Sequence, residues 1–170
     1  MRYIEYYDSP IGRILLTSDA DKALTGLWFE GGRFFNDVLS VPFEERSLPV
    51  FDETARWLDI YFSGRQPGFI PYIKFPEASD FRIAVWEALL QIPYGKTVTY
   101  GDIASMLSSG SWTGSGTAKV SARAVGGAVG HNPIGIIVPC HRVVGAGGSL
   151  TGYAGGLERK AALLELEGVK

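Results

Sequence analysis

The sequence predicts an α+β protein: a small antiparallel sheet first, then a helical unit carrying a helix-turn-helix. Three observations lead there. Residues 2–7 and 11–18 are rich in β-forming side chains and flank the turn Asp8-Ser9-Pro10, with a third apolar run from Leu24 to Phe29. Pro76 to Ser79 has the composition of a linker. Beyond it, two short helical patterns follow one another.

The third run is entered from Asp19-Ala20-Asp21, and short strands joined by turns of this kind pair antiparallel. From Pro49 to Phe62 the residues Phe51, Ala55, Leu58 and Phe62 fall near helical spacing, and Ser63-Gly64-Arg65-Gln66-Pro67 stops the helix. Ile70 to Phe75 is a candidate further strand, and Trp28 and Trp57 read as packing residues. The linker divides the chain into residues 1–76 and 79–170.

Ser79 can cap a helix whose apolar face is Phe81, Ala84 or Val85, and Ala88 or Leu89, and Ile92-Pro93-Tyr94-Gly95-Lys96 turns the chain out of it. Thr99 with Asp102 three residues on resembles a capping box, starting a helix with Ile103, Ala104 and Leu107 inward. A second short helix is expected over Val120 to Val129. Gly126 and Gly127 inside it cost about 1 kcal/mol each relative to Ala, so something must come close to that helix. Tight helix packing and DNA backbone both fit.

With 170 residues, 46% apolar and 20% charged, the chain can bury a proper core. One cysteine excludes an internal disulfide framework, and two histidines make a Cys/His metal cluster improbable; no metal or other cofactor is expected. No apolar run reaches the ~20 residues of a membrane span and the first residues do not form a signal peptide, so a cytoplasmic protein without a membrane partner is expected. Net charge is −2, but unevenly placed: residues 1–79 hold 8 Lys/Arg against 12 Asp/Glu, residues 80–170 hold 8 against 6. Nucleic-acid contact, if made, belongs to the second part.

The chemistry centres on Cys140. It stands between the apolar run Ile134 to Val138 and the pair His141-Arg142, followed by Gly145, Gly147, Gly148, Gly152, Gly155 and Gly156. Lone cysteines are mostly small core residues. Here Pro139 fixes φ before the thiol, and two neighbours of potential positive charge favour thiolate, which reads as a nucleophile facing a pocket.

Pro139-Cys140-His141-Arg142-Val143, preceded by Asn132-Pro133 and followed by Gly152-Tyr153-Ala154-Gly155-Gly156-Leu157, resembles the O6-alkylguanine-DNA alkyltransferase family. The similarity extends back through Arg123 to Ala128 and forward to Glu167-Gly168, covering residues 79 to 168. It implies a ribonuclease-H-like first domain and direct, irreversible transfer of an alkyl group from guanine O6 in double-stranded DNA to Cys140. Each molecule works once, as a monomer.

The resemblance also assigns roles. His141 is the base, acting through a bridging water because adjacent side chains of an extended segment point apart. Glu167 orients the imidazole, although the residues alone leave Glu165 a competitor and Glu167 a plausible surface charge. Asn132 braces the cysteine loop. Tyr100 helps turn the nucleotide out and can donate a proton to the guanine, and Arg123 fills the vacated stack. Ala124, Gly126 and Gly127 offer a thin face to the minor groove. Pro139, Tyr153, Val143 and Ala154 border the base, while His131 receives no role beyond a turn or surface.

With Lys96, Lys119, Arg123 and Arg142 the near cations, and Arg142 expected to be buried, phosphate contact leans on backbone N–H groups, and the salt dependence of binding should be shallow. Ser108 to Thr117 is longer than the family's usual turn, with Trp112 in its middle and mobility expected from its composition. Some members carry zinc in the first domain; this chain has no cysteine there and none is expected. The alternatives are a sensor that binds alkylated DNA without transfer, and a cysteine hydrolase using Cys140, His141 and a carboxylate.

Overall fold

The computed structural model describes residues 1–19, 22–109 and 119–169. β1 (Arg2–Ser9) and β2 (Gly12–Ser18) pair antiparallel from Ser9↔Gly12 to Tyr3↔Ser18. The turn closes because Gly12 adopts φ 127° and the Ser9 hydroxyl accepts from the Ile11 N–H at 3.2 Å. β3 (Gly26–Phe29) adds antiparallel to β2. After the short helix α1 (Phe35–Leu39), β4 (Phe43–Glu45) pairs parallel with β1, giving the order β3-β2-β1-β4. The sheet is thus antiparallel except for this parallel edge, which three residues with no alternation did not reveal.

Alternation assigns the sheet's two faces. Ile14 and Leu16 enter the main core, while Leu15 and Ile4 pack with Phe35 and Val38 on the other side. α2 (Pro49–Phe62) covers the main-core face, with Pro49 at its first turn, where a missing N–H costs nothing. Its buried stripe is Phe51, Thr54, Leu58 and Tyr61, with Trp57 beside it; Ala55 and Phe62, expected inward, are only half-buried. The buried face thus includes Tyr61, whose hydroxyl has a polar partner inside. Ile70 to Phe75 is not a strand. Ile73 makes a single bridge to Leu24, with Leu24 N–H donating to the Tyr72 carbonyl at 2.8 Å and Lys74 N–H to that of Leu24 at 2.9 Å.

α3 (Asp80–Leu89) begins at Ser79, whose hydroxyl accepts from the Arg82 N–H at 3.2 Å. Val85, Trp86, Ala88 and Leu89 are buried, whereas Phe81 and Ala84 are partly covered. β5 (Val98–Thr99) leads into α4 (Tyr100–Ser109), where the capping box is reciprocal: Thr99 N–H to Asp102 Oδ2 at 2.8 Å, Asp102 N–H to Thr99 Oγ1 at 3.0 Å. Ile103, Ala104 and Leu107 are buried as expected. α5 (Ala122–Gly130) is capped by Ser121 and tied to α3 by Trp86 Nε1, which donates to the Ala128 carbonyl at 2.9 Å. Ser108 and Ser109 belong to α4; the rest of the expected loop, Trp112 included, lies among residues 110–118, outside the described residues.

A 3-10 turn over Cys140–Arg142 runs into β6 (Val143–Val144), parallel to β5, and α6 (Leu157–Leu166) follows. One hydrophobic cluster runs from Ile14, Leu27 and Leu58 through Val85 and Ile103 to Val125, Ile134 and Cys140, so the sheet and the helices share a core.

Asp102→Ala should cost about 1 kcal/mol by urea denaturation, and adding Thr99→Ala should cost little more, since both serve one box.

Candidate active site

The loop before the cysteine is assembled by two outside contacts. Leu27 N–H donates to the Pro133 carbonyl at 2.9 Å and Gly135 N–H to the Leu27 carbonyl at 3.2 Å, so the first part of β3 fixes where residues 133–135 lie. Inside the loop, buried Asn132 donates from Nδ2 to the Val138 carbonyl at 2.8 Å and accepts from the Ile134 N–H at 3.1 Å. It closes a tight loop in which Ile136, a β-branched residue, sits at φ 65°.

Cys140 then opens the 3-10 turn and is 7% exposed. The segment is therefore not extended. Successive side chains of a 3-10 turn are rotated by about 120° rather than alternating, so His141 points into the protein while Cys140 stays at a cavity. That cavity is bordered by Cys140, Asn132, Tyr153, Ala154 and, from the sheet half, Leu27 and Phe29.

His141 is fully buried, and its Nε2 lies 2.6 Å from Glu167 Oε2. A carboxylate only accepts, so the contact assigns the proton to Nε2 and leaves Nδ1 as the ring's lone pair. Nδ1 is buried and meets no partner among the described residues. Glu167 also takes Tyr61 Oη on Oε2 at 2.6 Å, Arg142 Nε on Oε1 at 2.8 Å, Arg142 Nη2 on Oε2 at 3.2 Å, and Gly95 N–H on Oε1 at 3.0 Å. Burial alone would raise this carboxyl, but the donors, His141 foremost, outweigh it and bring it down to about 2. Glu165 is exposed, so burial separates the two competing carboxylates.

Arg142, buried as expected, gives its remaining bond to the Ile92 carbonyl at 2.8 Å. Its charge is spent on Glu167, and burial holds His141 below the usual imidazole range. The expected thiolate therefore does not follow. Burial pushes the Cys140 thiol up, opposed by the Asn132 amide and the more distant Lys160, so the resting group is a thiol.

Tyr100, in the first turn of α4, donates its hydroxyl to the Thr151 carbonyl at 3.0 Å. Lys160 Nζ donates to the same carbonyl at 2.8 Å and to that of Gly152 at 3.2 Å. Its side chain is fully buried, and burial lowers its pKa to about 8. Nothing in the spacing of α6 distinguishes Lys160 from a surface lysine. Tyr61, three residues after Leu58, takes an inward position that the period of α2 allows, but nothing in its spacing marks the hydroxyl.

On α5, Arg123, Ala124 and Gly127 are exposed together, and Gly126 lies against the Tyr100 ring. A Cβ built on Gly127 meets nothing within 4 Å, so packing inside the protein does not explain that glycine. Val143 is fully buried in β6. Tyr153 and Ala154 are half-buried, and the Ala154 carbonyl accepts from the Arg33 N–H at 2.8 Å. A Cβ on Gly155 would come within 2.8 Å of both the Phe29 and Tyr153 rings, which fixes glycine there. Pro139 is buried and borders a separate cleft with Tyr61, Tyr94 and Arg142, not the Cys140 cavity. His131 ends α5, its Nδ1 2.8 Å from the Gly127 carbonyl.

Residues 2–69 match the profile of the 6-O-methylguanine DNA methyltransferase ribonuclease-like domain, and residues 80–169 that of the DNA-binding domain of the same enzyme. The chain is 40% identical to the methylated-DNA–protein-cysteine methyltransferase of Haemophilus influenzae, over 97% of this chain and 86% of that one. With the Methanosarcina acetivorans protein of that name it shares 45% identity over 98% of both. The crystal structure of the Mycobacterium tuberculosis O6-methylguanine methyltransferase superposes with a TM-score of 0.79 at 42% identity, covering 98% of this chain and 93% of that one. A complex of the Mycobacterium tuberculosis protein with DNA matches equally well, covering 97% and 92%.

Because folding lowers the Glu167 pKa from 4.5 to about 2, its ionisation stabilises the fold above about pH 4.5 and that contribution disappears as pH falls toward 2. Its size is on the order of 3 kcal/mol. Glu167→Gln should be less stable at pH 7, with a melting temperature that falls less steeply between pH 5 and 3 than that of the parent.

Proposed function

The chain belongs to the 6-O-methylguanine DNA methyltransferase family, whose members repair DNA by moving an alkyl group onto a protein cysteine, and on that premise we propose that Cys140 is the acceptor. The observation that carries the reading is a buried thiol opening the same turn as a histidine already bound to a buried carboxylate. In the reaction the thiol proton passes to His141 Nδ1, through one water, and the sulfur attacks the alkyl carbon as the bond to guanine O6 breaks. The departing guanine takes up one proton for the one the thiol gave up, so it leaves neutral, and Cys140 keeps a thioether that water does not cleave. One molecule repairs one lesion.

Guanine O6 lies inside the duplex, so the nucleotide must turn out to reach a buried sulfur. The bare face of α5 suits this step: Arg123 can enter the stack while Ala124 and Gly127 let the helix approach a narrow groove. Tyr100 stands beside that helix, and Tyr153 and Ala154 border the receiving cavity. The reading gives DNA contact to residues 79–170 and leaves 1–76 to support the site. It further takes double-stranded DNA bearing O6-alkylguanine as the partner, the monomer as the working form and the cytoplasm, which keeps a lone thiol reduced, as its place.

Arg142 is committed to Glu167, so few cations remain for phosphate, and the affinity should decline only gently with salt. A sensor without transfer has no use for the thiol beside His141, and a hydrolase leaves the exposed glycine face of α5 without purpose.

Mixed with duplex containing O6-methylguanine, the protein should gain the mass of one methyl group, to one equivalent and no further, and Cys140→Ser should gain none. Lesion binding without a gain would favour the sensor, and repeated turnover the hydrolase. Gly127→Val should leave the melting temperature within a few degrees of the parent while weakening DNA binding at least ten-fold by fluorescence anisotropy, since its side chain would meet only the DNA.

A further inference from the structure

Tyr61 lies on α2 in the sheet half, 80 residues from His141 in sequence, and is fully buried. Its ring stacks on Trp57, with centroids 5.3 Å apart and planes 8° from parallel, and meets the His141 imidazole edge-on at 6.4 Å. Its hydroxyl donates to Glu167 Oε2 at 2.6 Å, the same oxygen that holds His141, and lies 3.4 Å from His141 Nε2. Hydrophobic burial alone would be served by phenylalanine. A buried phenol aimed at one carboxylate oxygen needs a reason.

We propose that Tyr61 is a positioning residue for the transfer, setting how strongly Glu167 holds the His141 proton and thereby making the sheet half part of the reacting site. This rests on the proposed role of His141 as the base. Two donors share one oxygen, so each weakens the other's hold on it. With the phenol in place Glu167 fixes the imidazole without drawing it strongly toward imidazolium, and His141 stays neutral and able to accept a proton at lower pH. Without it, Glu167 pulls harder and His141 becomes charged at higher pH, when it can no longer act as a base.

The other groups around the pair oppose that charging. Arg142, on the same turn, is cationic, and so is Lys160, on α6, below its pKa of about 8, while Cys140 is a neutral thiol at rest. Tyr94, in the turn after α3, faces Glu167 and Arg142 but leaves its buried hydroxyl unpaired among the described residues. Tyr61 is therefore the neutral donor that balances Glu167 on the His141 side.

Tyr61→Phe in the full chain tests this, by single-turnover methyl transfer from O6-methylguanine duplex across pH 5 to 8.5. The acidic limb of the rate should move up by about 0.7 unit, which is about a five-fold lower rate on that limb. At pH 8 and above the rate, and at all pH the DNA affinity, should stay within about two-fold of the parent. A merely structural role would lower the rate equally at every pH, and that result, or superimposable profiles, would overturn the inference. Running the same pH series with iodoacetamide in place of DNA reads deprotonation of Cys140 without methyl transfer. A shifted limb there, in a parent that transfers no methyl, would uphold Tyr61 and sink the repair reading instead.

Discussion

Everything at this site turns on one carboxylate. Glu167 is buried at the end of α6 and accepts from five donor atoms: a nitrogen of the His141 imidazole, the Tyr61 hydroxyl, two nitrogens of Arg142 and the Gly95 backbone N–H. An isolated buried carboxylate would take up a proton, and an isolated buried arginine would cost several kcal/mol. Together they neutralise one another and leave a fixed acceptor for the imidazole. The consequence is an imidazole held neutral in one tautomer, on the same turn as a buried thiol that rests protonated.

That carboxylate also joins the parts of the chain. Its donors come from α2, the turn after α3, the 3-10 turn and, through His141, the cysteine loop. The sheet half adds Leu27, whose backbone holds residues 133–135, and Arg159 of α6 returns the contact, donating to the carbonyls of Ile11 and Glu30 at 2.9 and 3.1 Å. Its guanidinium also covers the Phe29 ring. Residues 2–69 thus brace the loop from one side and reach Glu167 from the other.

Local features were the most legible. Ser79, the Thr99–Asp102 pair and the inward stripe of α4 follow from capping chemistry and period alone, and the structure has them. α1 and β4 leave no pattern in the sequence because each is about one turn or three residues long and takes its form from tertiary pairing. At the site, Cys140 and His141 announce themselves by adjacency, and Glu167 only by resemblance to a family. Tyr61 and Lys160 leave no mark in the sequence, since what sets them apart is a buried polar end, meeting Glu167 across the fold in one case and the carbonyls of Thr151 and Gly152 in the other. The expected thiolate failed for the same reason: sequence puts Arg142 beside the thiol, while the fold gives its charge to Glu167.

The most direct test of this account is a long-range 1H–15N spectrum of His141 in the unreacted protein at pH 6 to 7. A neutral ring with its proton on Nε2 and a lone pair on Nδ1 is expected. An imidazolium, or a neutral ring protonated on Nδ1, would contradict it, because Nδ1 could then take no proton from Cys140.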